Sequence, residues 1–303
     1  MNKKIGSNII PTLEQKHIAY KLDLPVAEKS SFKIGGKVAL ALFPVNADQL
    51  VECVRLLKKE DIKFQLIGNA SNLLFAFDYY QGAFIFTSET SALTLDKNRI
   101  ICEVGVPLTR LSNVAAQNSL GGMEFAFGIP ALVGGAVYMN AGAYGSQIAD
   151  VIEYTVAYDM ETDSIKKIYD NDFGYRISIY EKNPNLICLG ASFVLHERDS
   201  DEIKNKMAQN MASRREKQPL EYPSAGSYFK RPDGYFAGKL IEDCGLKGIR
   251  VGGAEVSLKH AGFIINVDGA TYSDVLALEE KIKERVYQTY GVSLEREVVL
   301  ITD

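Results

Sequence analysis

Metal chelation and disulfide cross-linking have little to draw on in this chain. Its four cysteines, Cys53, Cys102, Cys188 and Cys244, include no C-x-x-C pair, and its three histidines, His17, His196 and His260, have no metal-ligand spacing. Neither a disulfide scaffold nor a metal site is expected. Charge of one sign is scarce as well: 34 Lys and Arg against 38 Asp and Glu leave a net charge of −4. The densest positive cluster, Arg214-Arg215-Glu216-Lys217 with Lys230-Arg231 nearby, does not make a nucleic-acid footprint. Nowhere is there an uninterrupted apolar run of about 18 residues, so no membrane insertion is expected. Met1-Asn2-Lys3-Lys4 is followed by a polar segment instead of an apolar one, which makes a reducing cytoplasm the expected location. Internal repeats and low-complexity tracts are missing too.

What is present suits an ordinary globular protein. A chain of 303 residues that is 47% hydrophobic can bury a substantial core and divide into two or three domains. Pro11 to Lys21 reads as a polar helix and Val38 to Pro44 as a strand. Leu50, Val51, Val54 and Leu57 recur at helical spacing and predict an amphipathic helix over Ala47 to Lys59, followed by a strand over Phe64 to Ile67. The middle third is rich in short strands, among them Val151 to Tyr158, Ser164 to Ile168 and Leu186 to Leu195, with a helix near Leu108 to Asn118. A long charged helix over Asp199 to Lys217 stops at Gln218-Pro219, and Pro223 prevents its continuation, so a domain boundary falls there. Beyond it are helices near Tyr235 to Cys244 and Tyr272 to Tyr290, strands near Ala254 to Ser257 and Gly262 to Asn266, and a last strand over Arg296 to Ile301. The fold class is α+β.

Two glycine segments carry most of the functional signal. Gly121 to Gly145 holds seven glycines among small and apolar residues with no Lys, Arg or Asp, so the segment presents its backbone. Bare backbone can approach a large planar or phosphorylated ligand closely, although a buried glycine-rich bend explains the same composition. Upstream, Gly68-Asn69-Ala70-Ser71-Asn72-Leu73 forms a polar turn between two apolar runs, a geometry that can aim several N–H groups at one anion or simply connect two strands.

Three side chains stand out by context. Arg176 lies beside a glycine and an aromatic in Phe173-Gly174-Tyr175-Arg176-Ile177-Ser178, where a surface arginine is the ordinary reading. Ser227 lies in Pro223-Ser224-Ala225-Gly226-Ser227-Tyr228-Phe229-Lys230, with small neighbours that leave its hydroxyl unobstructed; a cap or turn serine is the plain alternative. Glu297 sits in the last predicted strand. Period two puts it on one side with Glu295, Val299 and Ile301, so that the carboxylate shares a face with residues expected to be buried, unless the strand end is solvated.

Taken together and in order, these motifs resemble the UDP-N-acetylenolpyruvoylglucosamine reductase family. The resemblance runs through Ser31 to Gly36, Gly68 to Leu74, Gly121 to Gly145, Gly174 to Ser178, Gln218 to Pro232, Ala237 to Asn266 and Leu294 to Val298. It implies a two-subdomain FAD-binding domain of the vanillyl-alcohol-oxidase (PCMH) type, here residues 1–88 and 89–205, followed by an α+β substrate domain, 206–303. Noncovalent FAD would lie along Gly68, Asn69, Ala70, Ser71, Asn72 and Leu73, and along Gly128, Ile129, Pro130, Gly134 and Gly135. NADPH would donate hydride, and the substrate would be UDP-N-acetylglucosamine-enolpyruvate.

The resemblance also implies the roles of side chains. Arg176 and Glu297 would stabilise the charge that develops on the substrate, and Ser227 would donate the proton. Lys217, Lys230 and Arg231 are reasonable partners for the diphosphate, with His260 near the substrate; solvated surface charge is the alternative for the cations. The compact stretch from Tyr175 to Leu195 resembles the shorter class of the family, which lacks a substrate-capping insertion and has a more open site. Three positions depart from the family pattern: Ala70 and Ala131 stand where many members have glycine, and Ile177 where a polar or aromatic residue is common. The competing readings are a flavin oxidoreductase of the same superfamily with another substrate, and a non-catalytic UDP-sugar sensor that keeps the fold.

Overall fold

A computed structural model describes residues 9–303; Met1-Asn2-Lys3-Lys4 lies outside the described residues. The chain divides into two interleaved units. Among the described residues the first comprises 9–21, 40–69 and 83–214, and the second 22–39, 70–82 and 215–303.

In the first unit, helix α1 spans Ile10–Gln15. The sequence suggests a helix continuing to Lys21, but His17 takes φ +52°, which ends the helix, and Ala19–Pro25 is a strand. Helix α2, Ala47–Lys59, opens on Asn46, whose side chain accepts a hydrogen bond from Gln49 N–H, and it buries Leu50, Val51, Val54 and Leu57 as the periodicity predicts. Each such side chain contributes about 1.5–3 kcal/mol of burial. They pack with Leu40, Leu42, Ala83, Ile85 and Leu189 in one core cluster. The strand Phe64–Ile67 runs parallel to its neighbour, with Phe64 opposite Ala83 and Ile67 opposite Phe86.

A second cluster in this unit surrounds an antiparallel five-stranded sheet. The strand order is Ser164–Ile168, Ile152–Asp159, Leu186–Val194, Arg99–Glu103, Leu93–Asp96. Helices α3 (Leu108–Gln117), α4 (Val133–Tyr138) and α5 (Ile179–Lys182) contribute to the same cluster. The charged helix α6, Ser200–Lys217, begins after Asp199, whose carboxylate accepts the N–H groups of Asp201 and Glu202, both at 3.0 Å.

The second unit has its own sheet, ordered Ser224–Ser227, Phe263–Asn266, Ala254–Val256, Arg250–Val251 and antiparallel throughout. Helices α7 (Ala237–Asp243) and α8 (Tyr272–Tyr290) cover it through Leu240, Ile241, Val275, Leu278, Ile282 and Val286. α8 is closed at its start by a reciprocal capping box between Thr271 and Asp274 and at its end by Gly291. A short parallel pair joins Leu73–Phe75 to Val299–Ile301. The two strands flanking the Gly68–Asn72 turn therefore enter different sheets, so the turn is a crossover and not a hairpin. Among the described residues no helix is long and apolar enough to cross a membrane.

Candidate active site

The two glycine segments meet in the first unit. Asn69 Nδ2 donates to the Pro130 carbonyl at 2.8 Å, and a Cβ placed on Gly68 would lie 3.9 Å from the Leu132 side chain. Pro107 and Leu132 form a bridge, with Leu108 N–H donating to Ala131 O and Val133 N–H to Val106 O, so the backbone before α4 is held in place. The glycines that follow serve different ends. Gly134 lets the helix approach Val104, whose Cβ would lie 3.0 Å from an added methyl. Gly135 is exposed, has no positive φ and would meet nothing within 4 Å. Neither backbone conformation nor packing within the protein calls for glycine there, and the effect is to leave peptide groups uncovered.

Arg176 occupies a strained turn in the same unit. Gly174 N–H donates to Ile177 O at 3.1 Å and Ile177 N–H returns to Gly174 O at 3.4 Å, closing a two-residue loop of Tyr175 and Arg176. The third position of this turn has φ +60°, a value that favours glycine or asparagine, yet it is held by arginine. Buried Asn140 fixes the loop by donating to Gly174 O at 3.0 Å while accepting from Ala149 N–H at 3.0 Å. Ser178 closes the far side, donating to Tyr138 O at 2.6 Å and capping α5. The guanidinium reaches Gly142 O at 3.4 Å and lies 5.3 Å from the Tyr175 ring centre, half-buried.

Ser227 and Glu297 are brought together in the second unit. Glu297 N–H donates to Tyr228 O at 2.9 Å, Lys230 N–H donates to Glu295 O at 2.8 Å, and Phe229 bridges Arg296. The chain through Ser227 thus runs alongside the chain through Glu297. Asn72 Nδ2 donates to the Glu297 carbonyl at 3.1 Å and Val299 N–H to Asn72 O at 2.9 Å, which adds the latter part of the first glycine turn to the same cluster. Ser31 Oγ fastens that turn from behind, 2.7 Å from Ser224 O and 3.3 Å from Ala70 O.

The structure corrects the reading of the last strand. Regular pairing covers only Val299–Ile301; in the preceding segment Val298 is buried, Glu297 is only half-buried, and it is Arg296 whose side chain reaches the buried Glu279. Val299, assigned to the buried side from period two, is 40% exposed. The cause is a bend at Val298, where both Glu297 N–H and Val298 N–H turn toward Tyr228 O. Glu297 is half-buried and Ser227 exposed, so both are open to a ligand from outside.

Comparison with known proteins assigns the family. The model of the UDP-N-acetylenolpyruvoylglucosamine reductase C-terminal domain matches residues 218–301, and that of an FAD binding domain matches 38–162. A UDP-N-acetylenolpyruvoylglucosamine reductase of Caldicellulosiruptor saccharolyticus is 46% identical over 294 residues, covering 95% of this chain and 94% of the relative. One from Clostridium botulinum is 44% identical, covering 92% of each chain. The crystal structure of the reductase (MurB) from Thermus caldophilus superposes with a TM-score of 0.79 at 30% identity, covering 94% of this chain and 99% of that one. The chain belongs to the UDP-N-acetylenolpyruvoylglucosamine reductase family.

Membership gives the glycine segments of this reductase their purpose, since both lie inside the matched FAD binding domain. The residues present fit FAD: uncovered backbone at Gly135 and the loosely packed Gly68, tied by Asn69 to Pro130, leave the approach that a dinucleotide needs. Of the two alanines expected to stand in place of glycine, Ala70 has φ +46° and bears the cost of the left-handed region, while Ala131 is not among the positive-φ residues.

The expected substrate-side residues are less uniform. Lys217 ends α6 and is exposed. Lys230 Nζ stands 3.6 Å from Glu295, and the Arg231 guanidinium lies 4.0 Å over the Phe236 ring while its Nε donates to Tyr235 O. His260 packs against Gly238 and Gly262 and takes the Gly262 N–H on Nδ1 at 3.0 Å. Burial lowers its pKa, so the ring is neutral at pH 7 with its proton on Nε2. Sequence reasoning did not single out Asn140 or Ser31, which hold the Arg176 turn and the Ala70 turn. Ser31 fell within a recognised motif, but nothing in the sequence says which distant carbonyl it reaches.

Proposed function

We propose that this chain reduces the enolpyruvyl group of UDP-N-acetylglucosamine-enolpyruvate to the lactyl ether, giving UDP-N-acetylmuramate for peptidoglycan synthesis. It uses FAD, with NADPH as hydride donor, in the cytoplasm. Residues 1–88 and 89–205 carry the flavin side and 206–303 the substrate side. The observation that carries the reading is the pairing of the chain segments bearing Ser227 and Glu297 in a protein similar to these reductases over nearly its whole length.

Bound FAD supplies the chemistry of accepting hydride from NADPH and delivering it to the terminal vinyl carbon. The enol ether accepts hydride only when negative charge can flow into the attached carboxylate. In this reading Arg176 binds that carboxylate, and Glu297, protonated or sharing a proton, donates a hydrogen bond without repelling it, so that both stabilise the developing charge electrostatically. Ser227 then gives its proton to the neighbouring carbon and recovers one from solvent. A serine is a weak acid, but the enolate-like intermediate is a strong base, and position substitutes for acidity. Lys217, Lys230 and Arg231 neutralise the diphosphate, and His260 borders the sugar nucleotide.

Anaerobic half-reactions test the assignment. In Ser227→Ala the flavin still bleaches with NADPH, while its return on adding the enolpyruvyl substrate slows by about 10²–10⁴-fold. Equal slowing of both half-reactions removes Ser227 as the donor. A wild-type flavin that stays reduced with this substrate favours another substrate, and an absence of flavin binding together with tight UDP-sugar binding favours the sensor.

A further inference from the structure

Ser227 and Glu297 each adjoin a residue that turns the other way, and both of those neighbours end on one buried carboxylate. Glu279, on α8, is fully buried. Its Oε2 accepts from Tyr228 Oη at 2.7 Å and from Arg296 Nε at 2.8 Å, and its Oε1 accepts from the second Arg296 nitrogen at 3.0 Å and from Lys283 Nζ. Burial opposes the charge, yet the hydrogen bonds from Arg296, Lys283 and Tyr228 hold the carboxyl below its ordinary range.

The geometry clamps two chain segments at once. Tyr228 follows Ser227 and Arg296 precedes Glu297, and the two segments are hydrogen-bonded to each other through Glu297 N–H and Tyr228 O. A movement of either inward side chain therefore shifts its outward neighbour relative to the other. A buried ion pair of this kind adds little net stability over apolar side chains of equal volume. What it supplies is direction: the planar Arg296 fork and the Tyr228 hydroxyl accept only one orientation of the carboxylate.

We propose that Glu279 is a positioning residue for proton delivery, holding Ser227 and Glu297 in register through Tyr228 and Arg296. It rests on the roles given to Ser227 and Glu297 above. Displacement of reacting groups by about 1 Å costs on the order of 10²-fold in rate. Glu279→Gln keeps the shape while losing the charge and one acceptor oxygen. Tyr228→Phe keeps the buried ring and removes one strut.

Each variant is compared with wild type and Ser227→Ala for reoxidation of NADPH-reduced flavin by UDP-N-acetylglucosamine-enolpyruvate, the solvent deuterium isotope effect on that step, substrate Kd by calorimetry, and melting temperature. Glu279→Gln is expected to reoxidise about 30–100-fold more slowly and Tyr228→Phe about 5–10-fold, with an increased solvent isotope effect. Flavin reduction by NADPH and substrate Kd should stay within about 2-fold. Tyr228→Phe keeps the question answerable if Glu279→Gln folds poorly. Normal reoxidation in Tyr228→Phe together with normal reoxidation in any folded Glu279→Gln, beside a slow Ser227→Ala, overturns the positioning role alone. So does a parallel loss of both half-reaction rates, substrate affinity and melting temperature. A wild-type flavin that this substrate does not reoxidise overturns the functional reading and the positioning role with it.

Discussion

Gly226 offers a perturbation in which conformation can be separated from packing. Ser224 stands opposite Ile265 and Ser227 opposite Phe263, three steps of one strand against two of the other, so the strand carries an extra residue at a bulge where Gly226 has φ +80°. A Cβ at this position would meet nothing within 4 Å, so Gly226→Ala adds no clash. If the bulge persists, alanine pays about 1–2 kcal/mol for positive φ and recovers about 0.4–1 kcal/mol from a less flexible unfolded chain. The net loss lies between about 0 and 1.6 kcal/mol and centres on about 0.8 kcal/mol, a fall in melting temperature of about 2–3 °C. If the bulge instead relaxes into regular pairing, the strain disappears but the register slips by one residue. That turns Ser227 to the other face and costs proton delivery about 10²-fold or more. Stability or substrate-dependent flavin reoxidation must therefore suffer. Urea unfolding and anaerobic stopped-flow on the same preparation distinguish the two, and a variant unchanged in both would refute the argument.

Two further outcomes follow from the same geometry. Because Arg176 holds φ +60°, Arg176→Gly should be more stable than Arg176→Ala by about 0.5–1 kcal/mol, although both lose the guanidinium, keep the bound flavin spectrum and slow substrate reduction; thermal unfolding of the pair checks this, and an equal or more stable alanine variant contradicts it. Glu279 has a depressed folded pKa, so its stabilising effect is complete above the unfolded value near 4.3 and is lost as pH falls through the folded value. Wild-type melting temperature should consequently fall more steeply than that of Glu279→Gln below about pH 5, and parallel curves would show that the carboxylate is not held ionised.

Local periodicity carried most of the secondary structure. The predicted helices Ala47 to Lys59 and Tyr272 to Tyr290 occur with those limits, because apolar spacing, caps and terminal glycine agree over several turns. Short elements at crowded places were less legible. The helix from Pro11 fails at His17, whose positive φ has no sequence signal, and period two fails at Glu297 because the chain bends where two N–H groups share the Tyr228 carbonyl. Arg296 turns inward to reach Glu279, 17 positions earlier in the chain and visible only after folding. The candidate site was legible as motifs, Arg176, Ser227, Glu297 and the glycine segments, whereas Asn140, Ser31 and Glu279 act through partners that no local pattern names.

The residues that hold the site share an energetic character that the core does not. Ala70, Asn140 and Arg176 have φ between +44° and +60°, and Gly226 reaches +80°. Each non-glycine member costs about 1–3 kcal/mol, against a net stability of about 5–15 kcal/mol for a whole protein. Such conformations persist only where other contacts determine them, and the contacts are specific: Asn140 to Gly174 O for the Arg176 turn, and Ser31 toward Ala70 O for the first glycine turn. The burial that offsets this cost lies elsewhere in each unit, in the clusters around α2, the five-stranded sheet and α8. Substitutions that relax one of these turns can therefore raise stability while lowering activity, whereas enlarging the clusters should raise stability without moving Arg176, Ser227 or Glu297.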